Sequence, residues 1–495
     1  MTASSTPIWF EAARPATTFA PLAESLRADV AIIGAGITGL TLATLLREAG
    51  RCVVVLERAT LASGTTGGTS AHVTAALDVE YATLISRFGA DAARRVVDSV
   101  VRAIDEIERR AALLGAPDAF ARVPGYRFTE REDEIDWLAA EVEIARRLGL
   151  TAALVQDVPL PFGAVAALRL EAQGQLHPLR YLDALARRFT AAGGRLFEHT
   201  PVVAIEEGAV RVASGHRVEA GHVVDATHTP VGLVTSIQTR LAAQTSHCLV
   251  ARLERPIGAA LFWDTDTPYH YLRTLDADRT RVLIGGADHH TGRDDARKRR
   301  RELEEWTRAR LPVAAIEARW SAQLFEPADG LPYIGRLPGS KTRLVAAGFS
   351  GTGITYGTVA ALLLRDLVVD GTGAWADLYA PSRIGPLTSG LGIARENASI
   401  AWRFVADRLA KGRGASHDDL PEGEGRIERV DGAAVAVHRD AQGVVHRMSA
   451  RCPHLGCLVA WNDTEKSWDC PCHGGRFRAT GEVLYGPPVA GLERA

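Results

Sequence analysis

After Asp29 the chain runs Val-Ala-Ile-Ile before it meets Gly34-Ala-Gly36-Ile-Thr-Gly39. The unbroken apolar run predicts a buried strand, and the glycines predict a tight turn. Thr-Leu-Ala-Thr-Leu-Leu-Arg-Glu-Ala follows, a helix closed by Gly50, and then a second apolar run from Cys52 to an acid at Glu57. Strand, turn, helix and strand make a βαβ unit. Helical periodicity with charged faces marks 81–115 and 130–149, and 177–192 reads as a further helix. Short strands are expected over 202–205, 210–212 and 223–226, and 245–290 alternates like antiparallel strands around Pro and Asp/Gly turns. A strongly charged helix is expected over 294–311, where Lys298-Arg299-Arg300-Arg301 is followed by Glu302, Glu304 and Glu305, a solvated face. A strand over 344–347, a glycine-rich turn over 348–353 and a helix to about 369 come next. Residues 371–390 read as a linker, 391–411 as an amphipathic helix that docks on the body, and 412–425 as a second linker.

A length of 495 residues suggests about three domains. Apolar residues are 46% and charged residues 23%, and the formal net charge of −2 gives no sign of a nucleic-acid binder. No stretch reaches the ~18 uninterrupted apolar residues of a membrane span. Residues 1–29 show neither a secretory pattern nor a twin arginine, so the expectation is a cytoplasmic protein. Of six cysteines, four lie between Cys452 and Cys472, which points to a metal site and not to a spread disulfide framework.

Cys452-Pro-His454 is followed, after fifteen residues, by Cys470-Pro-Cys472-His473. Two Cys and two His can bind zinc. Zinc motifs usually pair Cys with Cys and His with His, however, whereas here each loop supplies one thiolate and one imidazole. A Rieske centre needs that arrangement, with two thiolates on one iron and two imidazoles on the other. Residues 425–495 resemble the Rieske proteins of the cytochrome bc complexes in these motifs, in Gly481 and in Gly486-Pro487-Pro488. The resemblance implies a [2Fe–2S] cluster on Cys452, His454, Cys470 and His473, and a disulfide between Cys457 and Cys472. Two reduced buried thiols are the alternative for that pair. Where the respiratory proteins place a Ser and a Tyr whose hydroxyls bond the cluster sulfurs, this chain has Gly475 and Phe477. A lower reduction potential is therefore expected.

The GxGxxG turn is a dinucleotide signature. Its glycines allow the turn, the approach of a pyrophosphate and close helix–strand packing, and Glu57 can accept hydrogen bonds from an adenosine ribose. Beyond it, Arg58 and Ser63-Gly64-Thr65-Thr66-Gly-Gly-Thr69-Ser70-Ala-His72 resemble the segment under the flavin in the D-amino-acid oxidase family of FAD enzymes. Val223-Val-Asp-Ala226-Thr, Asp329-Gly-Leu-Pro-Tyr333-Ile-Gly and Gly348-Phe-Ser-Gly351-Thr-Gly353 resemble that family too. The resemblance covers about residues 28–375. It implies FAD contacts at Gly34, Gly36, Ile37, Thr38, Gly39, Glu57, Arg58, Ser63, Gly64, Thr65, Thr66, Thr69, Ser70, Val202, Ala226, Gly351, Gly353, Ile354 and Thr355. It also implies a hydride taken from a carbon next to an amine, with the protein supplying position and electrostatics. Only one complete GxGxxG is present, which argues for an organic electron donor.

Candidate substrate-lining residues are Tyr269, His270, Tyr271 and Arg273 on one strand and Asp288, His289 and His290 on the next, with Tyr333 in the flavin motif. Arg273, Tyr271, His289 and Tyr333 are the catalytic candidates, and Arg273 is the first choice for holding a substrate carboxylate. A non-haem iron triad at 288–290 is disfavoured because adjacent strand residues face opposite ways. Covalent FAD through His72 is disfavoured because the motif does not align. Cys52 and Cys248 are expected as buried core thiols.

The fold class expected is α/β: an FAD/NAD(P)-binding Rossmann-like domain, an α+β substrate domain and a small all-β Rieske domain. The boundaries are 1–27 for an irregular N-terminal arm; 28–80, 175–230 and 325–375 for the FAD-binding domain; 81–174 and 231–324 for the substrate domain. A linker with its amphipathic helix takes 376–424 and the Rieske domain 425–495. The function expected is an FAD-dependent dehydrogenase of a small amine or amino acid that passes electrons through the cluster to an external acceptor or redox partner protein. One alternative is a reductase or monooxygenase-like flavoprotein fed through the cluster. Another is a redox-sensing or electron-carrier protein with no small substrate.

Overall fold

The computed structural model describes residues 4–12, 17–383 and 419–495. The amphipathic stretch expected over 391–411 lies outside the described residues.

Val30 to Ile33 and Val53 to Leu56 are β-branched or leucine-rich and fully buried, as parallel strands covered on both faces must be. They sit in an eight-stranded sheet whose main path runs Tyr333–Arg336, Arg343–Ala347, Arg217–His228, Leu26–Ile33, Val53–Leu56, Arg195–Phe197, parallel along that path but for its first strand, with an antiparallel hairpin joined to Arg217–His228 off the path. One face carries the helices Ile37–Glu48, Gly353–Val369 and Pro178–Ala191, packed through Leu40, Leu42, Val55 and Val359. Each such buried leucine or valine contributes roughly 1.5–3 kcal/mol. The other face packs Ala31, Ile33, Val54 and Leu56 against Val202, Val210 and Val212 of the hairpin formed by Val202–Glu206 and Ala209–Val212.

A second sheet runs Val313–Pro327, Leu241–Leu253, Arg281–His290, Tyr271–Thr274, Leu261–Asp264, Phe120–Thr129, Ala166–Leu176, His72–Val73. The third unit is all-β. Three strands (Gly425–Val430, Ala433–Arg439, Val445–Ser449) and four strands (Ala460–Asn462, Ser467–Asp469, Arg476–Arg478, Val483–Tyr485) pack around Trp468, Phe477 and Met448. No described helix is long and apolar enough to cross a membrane.

Several local expectations are corrected. The helix over 81–115 is two helices, Tyr81–Phe88 and Ala90–Leu113, because Gly89 takes φ 85°. The irregular N-terminal arm carries one short helix, Trp9–Ala12, where Trp9 is buried and its indole N–H donates to Thr69 O at 2.7 Å. His72–Val73 pairs in the second sheet, with Gln175 and Gly174. Residues 376–383 are packed and not a linker: Tyr379 is fully buried, and Arg383 pairs with Asp329 at 2.7 Å. Cys52 is exposed, because it precedes the buried run that starts at Val53, whereas Cys248 is buried.

Candidate functional site: a dinucleotide cavity beside two cysteine–histidine loops

A cavity of about 1290 Å³, its open mouth included, lies at the ends of the parallel strands, against Ile33, Leu56 and Ala226. The glycines shape it. Gly34 takes φ 100° and a Cβ there would lie 2.8 Å from Ala226 O, while a Cβ on Gly39 would lie 1.9 Å from Gly34 O. The helix Ile37–Glu48 starts at Gly36, Ile37 N–H donates to Thr66 Oγ1 (3.2 Å), and Gly36, Ile37 and Thr38 line the cavity, so the positive end of the helix dipole faces it. Glu57 closes one end, its two carboxylate oxygens accepting from Ala35 N (2.9 Å) and Ala59 N (3.0 Å), with a lone pair left on each. A long cleft with a glycine cradle in the middle and an acid at one end fits FAD.

Fifteen of the expected contact residues line this cavity: Gly34, Gly36, Ile37, Thr38, Glu57, Arg58, Ser63, Gly64, Thr65, Thr66, Thr69, Val202, Ala226, Gly353 and Ile354. Gly39 lies behind the cradle. Ser70 faces His72, their Oγ and Nδ1 being 3.0 Å apart. Gly351 N–H donates to Asp78 (2.8 Å), and the Thr355 hydroxyl donates to Thr74 O (3.2 Å). Sequence reasoning missed other wall residues. His228, at φ 72°, shares a hydrogen bond with Thr65 Oγ1 (3.2 Å), and burial pulls its pKa down to about 4, so the ring is neutral. Gln323 and Phe325 come from the second sheet, and Leu484, Tyr485 and Gly486 come from the C-terminal all-β unit.

The two ligand loops follow the strands Val445–Ser449 and Ser467–Asp469. Cys452 and Cys470 are buried thiols within hydrogen-bonding reach of each other. The His454 and His473 rings meet edge to face, centroids 5.0 Å apart. Cys457 and Cys472 form a disulfide with Cα atoms 6.5 Å apart, tying one loop to the other. Their sulfurs lie near Cys470 but have no thiolate to offer a metal. Two thiols and two imidazoles, one of each from either loop, fit a [2Fe–2S] centre of mixed ligation.

A cluster on the second sheet gathers Tyr269, Tyr271, Ser246, Asp288 and Glu326 with Asp78. Tyr269 O–H donates to Asp78 (3.1 Å), Tyr271 and Ser246 share a hydrogen bond (3.0 Å), and Gln244 Nε2 donates to Glu326 (3.2 Å). Asp78 and Glu326 are exposed to water, and the packing around them still raises both carboxyls, desolvation being the main cause. Burial is the main cause that raises the carboxyl of Asp288, helped by Glu326 and Asp78, to about 7. Oδ1 of Asp288 is buried without a hydrogen-bond partner.

The other catalytic candidates are placed elsewhere. Arg273 is buried and donates to the carbonyls of Ala71 (2.7 Å), Leu176 (3.1 Å) and Ser70 (3.3 Å), with its guanidinium over Trp9. Through Nη1 it staples the segments around Ala71 and Leu176 to its own strand. Tyr333 is buried between the guanidinium groups of Arg240 and Arg383, at 4.3 and 4.0 Å. His289, on the strand face opposite Asp288, stacks on His247 at 5.2 Å. His270 stacks on Trp306 and bonds Asp264. His290 pairs with Gln244 in the sheet register.

A family model described as DAO, FAD dependent oxidoreductase, matches residues 29–367, and one described as Rieske [2Fe-2S] domain matches residues 413–494. The Rieske 2Fe-2S iron-sulfur protein YhfW of Bacillus subtilis (strain 168) is 33% identical over 487 residues, covering 96% of this chain and 95% of its own. Gamma-glutamylputrescine oxidoreductase of Escherichia coli (strain K12) is 26% identical over 372 residues, covering 71% of this chain and 85% of its own. Glycine oxidase from Geobacillus kaustophilus has a similar fold, with a TM-score of 0.62 at 21% identity over 73% of this chain and all of that one.

Proposed function

The chain belongs to the DAO family of FAD-dependent oxidoreductases and ends in a Rieske [2Fe-2S] domain, and from this we propose that it dehydrogenates a small amine and delivers the electrons to an external acceptor by way of its cluster. The observation that carries the reading is that Leu484, Tyr485 and Gly486 of the Rieske unit form part of the FAD cavity wall. When bound, FAD supplies the hydride acceptor and the [2Fe–2S] cluster a one-electron relay.

The chain's own residues favour an amine over an amino acid. Among the described residues, this cluster brings together three carboxylates, Asp78, Asp288 and Glu326, and two tyrosines. The arginine expected to hold a substrate carboxylate, Arg273, donates to backbone carbonyls through Nε and Nη1. An ammonium group is attracted by the carboxylates and by the tyrosine faces. An amine must lose its ammonium proton before its neighbouring carbon can give up a hydride. Asp288, titrating near 7 with a partnerless oxygen, accepts that proton. Tyr269 and Tyr271 are held well above the ordinary phenol range by burial, so they remain O–H groups that orient Asp78 and Ser246. The name of the E. coli relative, gamma-glutamylputrescine oxidoreductase, is in keeping with such a substrate.

An anaerobic screen of amines and amino acids, following flavin bleaching optically and cluster reduction by EPR, tests this. Amines without a neighbouring carboxylate are expected to bleach the flavin and then raise the cluster signal. Bleaching by amino acids alone, or by NAD(P)H alone, would overturn it. So would rapid stoichiometric peroxide in place of the cluster signal.

A further inference from the structure

The two ligand loops of the Rieske unit lie against the FAD body, and each is met there by a buried glutamine. Gln238 is 2% exposed and Gln323 3% exposed. Such amides are costly to bury unless every group finds a partner.

The partners of Gln238 fix which way its amide points. Its Nε2 donates to Pro230 O (2.9 Å) and Gly232 O (2.6 Å), two acceptors that only a donor can satisfy. Its Oε1 therefore faces Val234 N–H (3.1 Å) and His454 Nε2 (3.1 Å). An amide oxygen only accepts, so His454 Nε2 carries the proton, and in a neutral imidazole Nδ1 is the nitrogen left for iron. The same loop carries Val231, a wall residue of the FAD cavity. Gln323 is itself a wall residue. Its Nε2 donates to Gly474 O (2.9 Å), one residue beyond His473. Gly474, at φ 68°, admits this approach, because a Cβ there would stand 2.6 Å from both Ala243 Cβ and Gln323 Nε2. Around these two ties, Tyr485 O–H donates to Ser63 O (3.0 Å) and Gly232 N–H to Pro487 O (2.9 Å).

We propose that Gln238 and Gln323, contributed by the FAD body, are positioning residues for the cluster: Gln238 sets the tautomer and orientation of His454, and Gln323 ties the Cys470–His473 loop to the wall of the FAD cavity. The proposal rests on the reading that electrons pass between the FAD site and the cluster. It adds that this Rieske centre is completed by residues outside its own domain. Partners of ligand side chains of this kind change site properties by roughly 10–100-fold when removed.

The test is Gln238→Met in the full-length protein with both cofactors, a change that keeps side-chain length and removes the amide. Two readouts are taken: the EPR spectrum and midpoint potential of the reduced cluster, and the rate of cluster reduction after the flavin is photoreduced without substrate. Expected are shifted g-values and midpoint, and cluster reduction slowed at least tenfold, with FAD content and flavin photoreduction as in the wild type. Loss of the cluster with FAD retained also supports the assignment. Gln323→Met, measured beside it, is expected to slow cluster reduction with a smaller spectral change, and it stands as the test if Gln238→Met does not fold. Wild-type spectra, midpoint and transfer rate in the folded variants would overturn the proposal. If the wild-type cluster stays oxidised when the flavin is photoreduced, the electron routing fails, while the spectral shift of Gln238→Met still decides the role of Gln238.

Discussion

Asp288 is charged or neutral according to its surroundings, and that choice sets a pH dependence. Burial disfavours its carboxylate, and Glu326 and Asp78 repel the same charge, so the proton leaves near pH 7 and not near 4. Below that region the carboxyl is protonated and cannot accept from an ammonium group. The rate of flavin reduction by an amine is therefore expected to rise through about pH 7 and level off above it, read by anaerobic stopped flow. Asp288→Asn removes the base and is expected to lower that rate by roughly 10²–10⁴ and to flatten the profile. A variant that keeps the inflection near 7 would remove Asp288 from this role. In the cluster domain, Phe477 is fully buried in the same hydrophobic core as Cys452 and Cys470. Phe477→Tyr offers a hydroxyl where the respiratory proteins carry one. A hydrogen bond to a cluster sulfur is worth roughly 1 kcal/mol, which for a one-electron couple raises the midpoint by on the order of 40 mV. Potentiometry of the variant checks it. Gly475 is the poorer site for the same experiment, because a Cβ there would already lie 2.8 Å from Pro488 Cγ.

The short helix Ala376–Tyr379 and the turn to Arg383 lock the end of the FAD body. Arg383 gives bidentate hydrogen bonds to Asp329 at 2.8 and 2.7 Å, and both side chains are buried. Removing one partner of such a pair strands the other charge, so Arg383→Ala is expected to cost roughly 3–5 kcal/mol in denaturant unfolding. Replacing Arg383 and Asp329 together by apolar residues is expected to cost less than that single change. The sequence marks this segment as a linker because Gly, Pro and Ser dominate its composition, and composition says nothing of one arginine 54 residues from its acid. The same limit explains Arg273. Its strand is legible from alternation, but the carbonyls that claim it come from Ala71 and Leu176, 202 and 97 residues away. The glycine turn and the Cys–His loops are legible because their partners are close in sequence and the spacing itself carries the geometry. Asp78, Glu326, Gln238 and Gln323 are ordinary polar residues whose partners are far away in sequence, and only the tertiary packing brings Asp78 to Tyr269, Gln238 to His454 and Gln323 to Gly474.

At the scale of the whole molecule, the Rieske unit meets the body through two kinds of contact that respond differently to salt. Arg297 pairs with Glu424 (3.1 Å) and with Asp463, and these side chains are partly exposed, Arg297 by half. Pairs of this kind are worth about 0–1 kcal/mol, and at 1 M salt, where the screening length is about 3 Å, they are largely lost. Arg58 and Arg293 donate to the carbonyls of Pro488 (3.5 Å) and Pro471 (3.2 Å), whereas four further contacts are neutral and enclosed: Gln323 to Gly474, Gln238 to His454, Tyr485 to Ser63 and Gly232 to Pro487. Salt does not screen them. A unit that swings to the flavin by charge would reduce its cluster more slowly as salt rises, and one borrowed from a second molecule would do so faster as protein concentration rises. The docked arrangement predicts neither. Cluster reduction after flavin photoreduction is expected to be first order, unchanged over a tenfold range of protein concentration, and altered by less than about thirtyfold between low salt and 1 M, the most that the loss of ~2 kcal/mol from two exposed ion pairs allows. Arg297→Ala is expected to match the high-salt rate at low salt. A steep fall with salt in the wild type would mean that charge and not the enclosed contacts holds the cluster to its electron source.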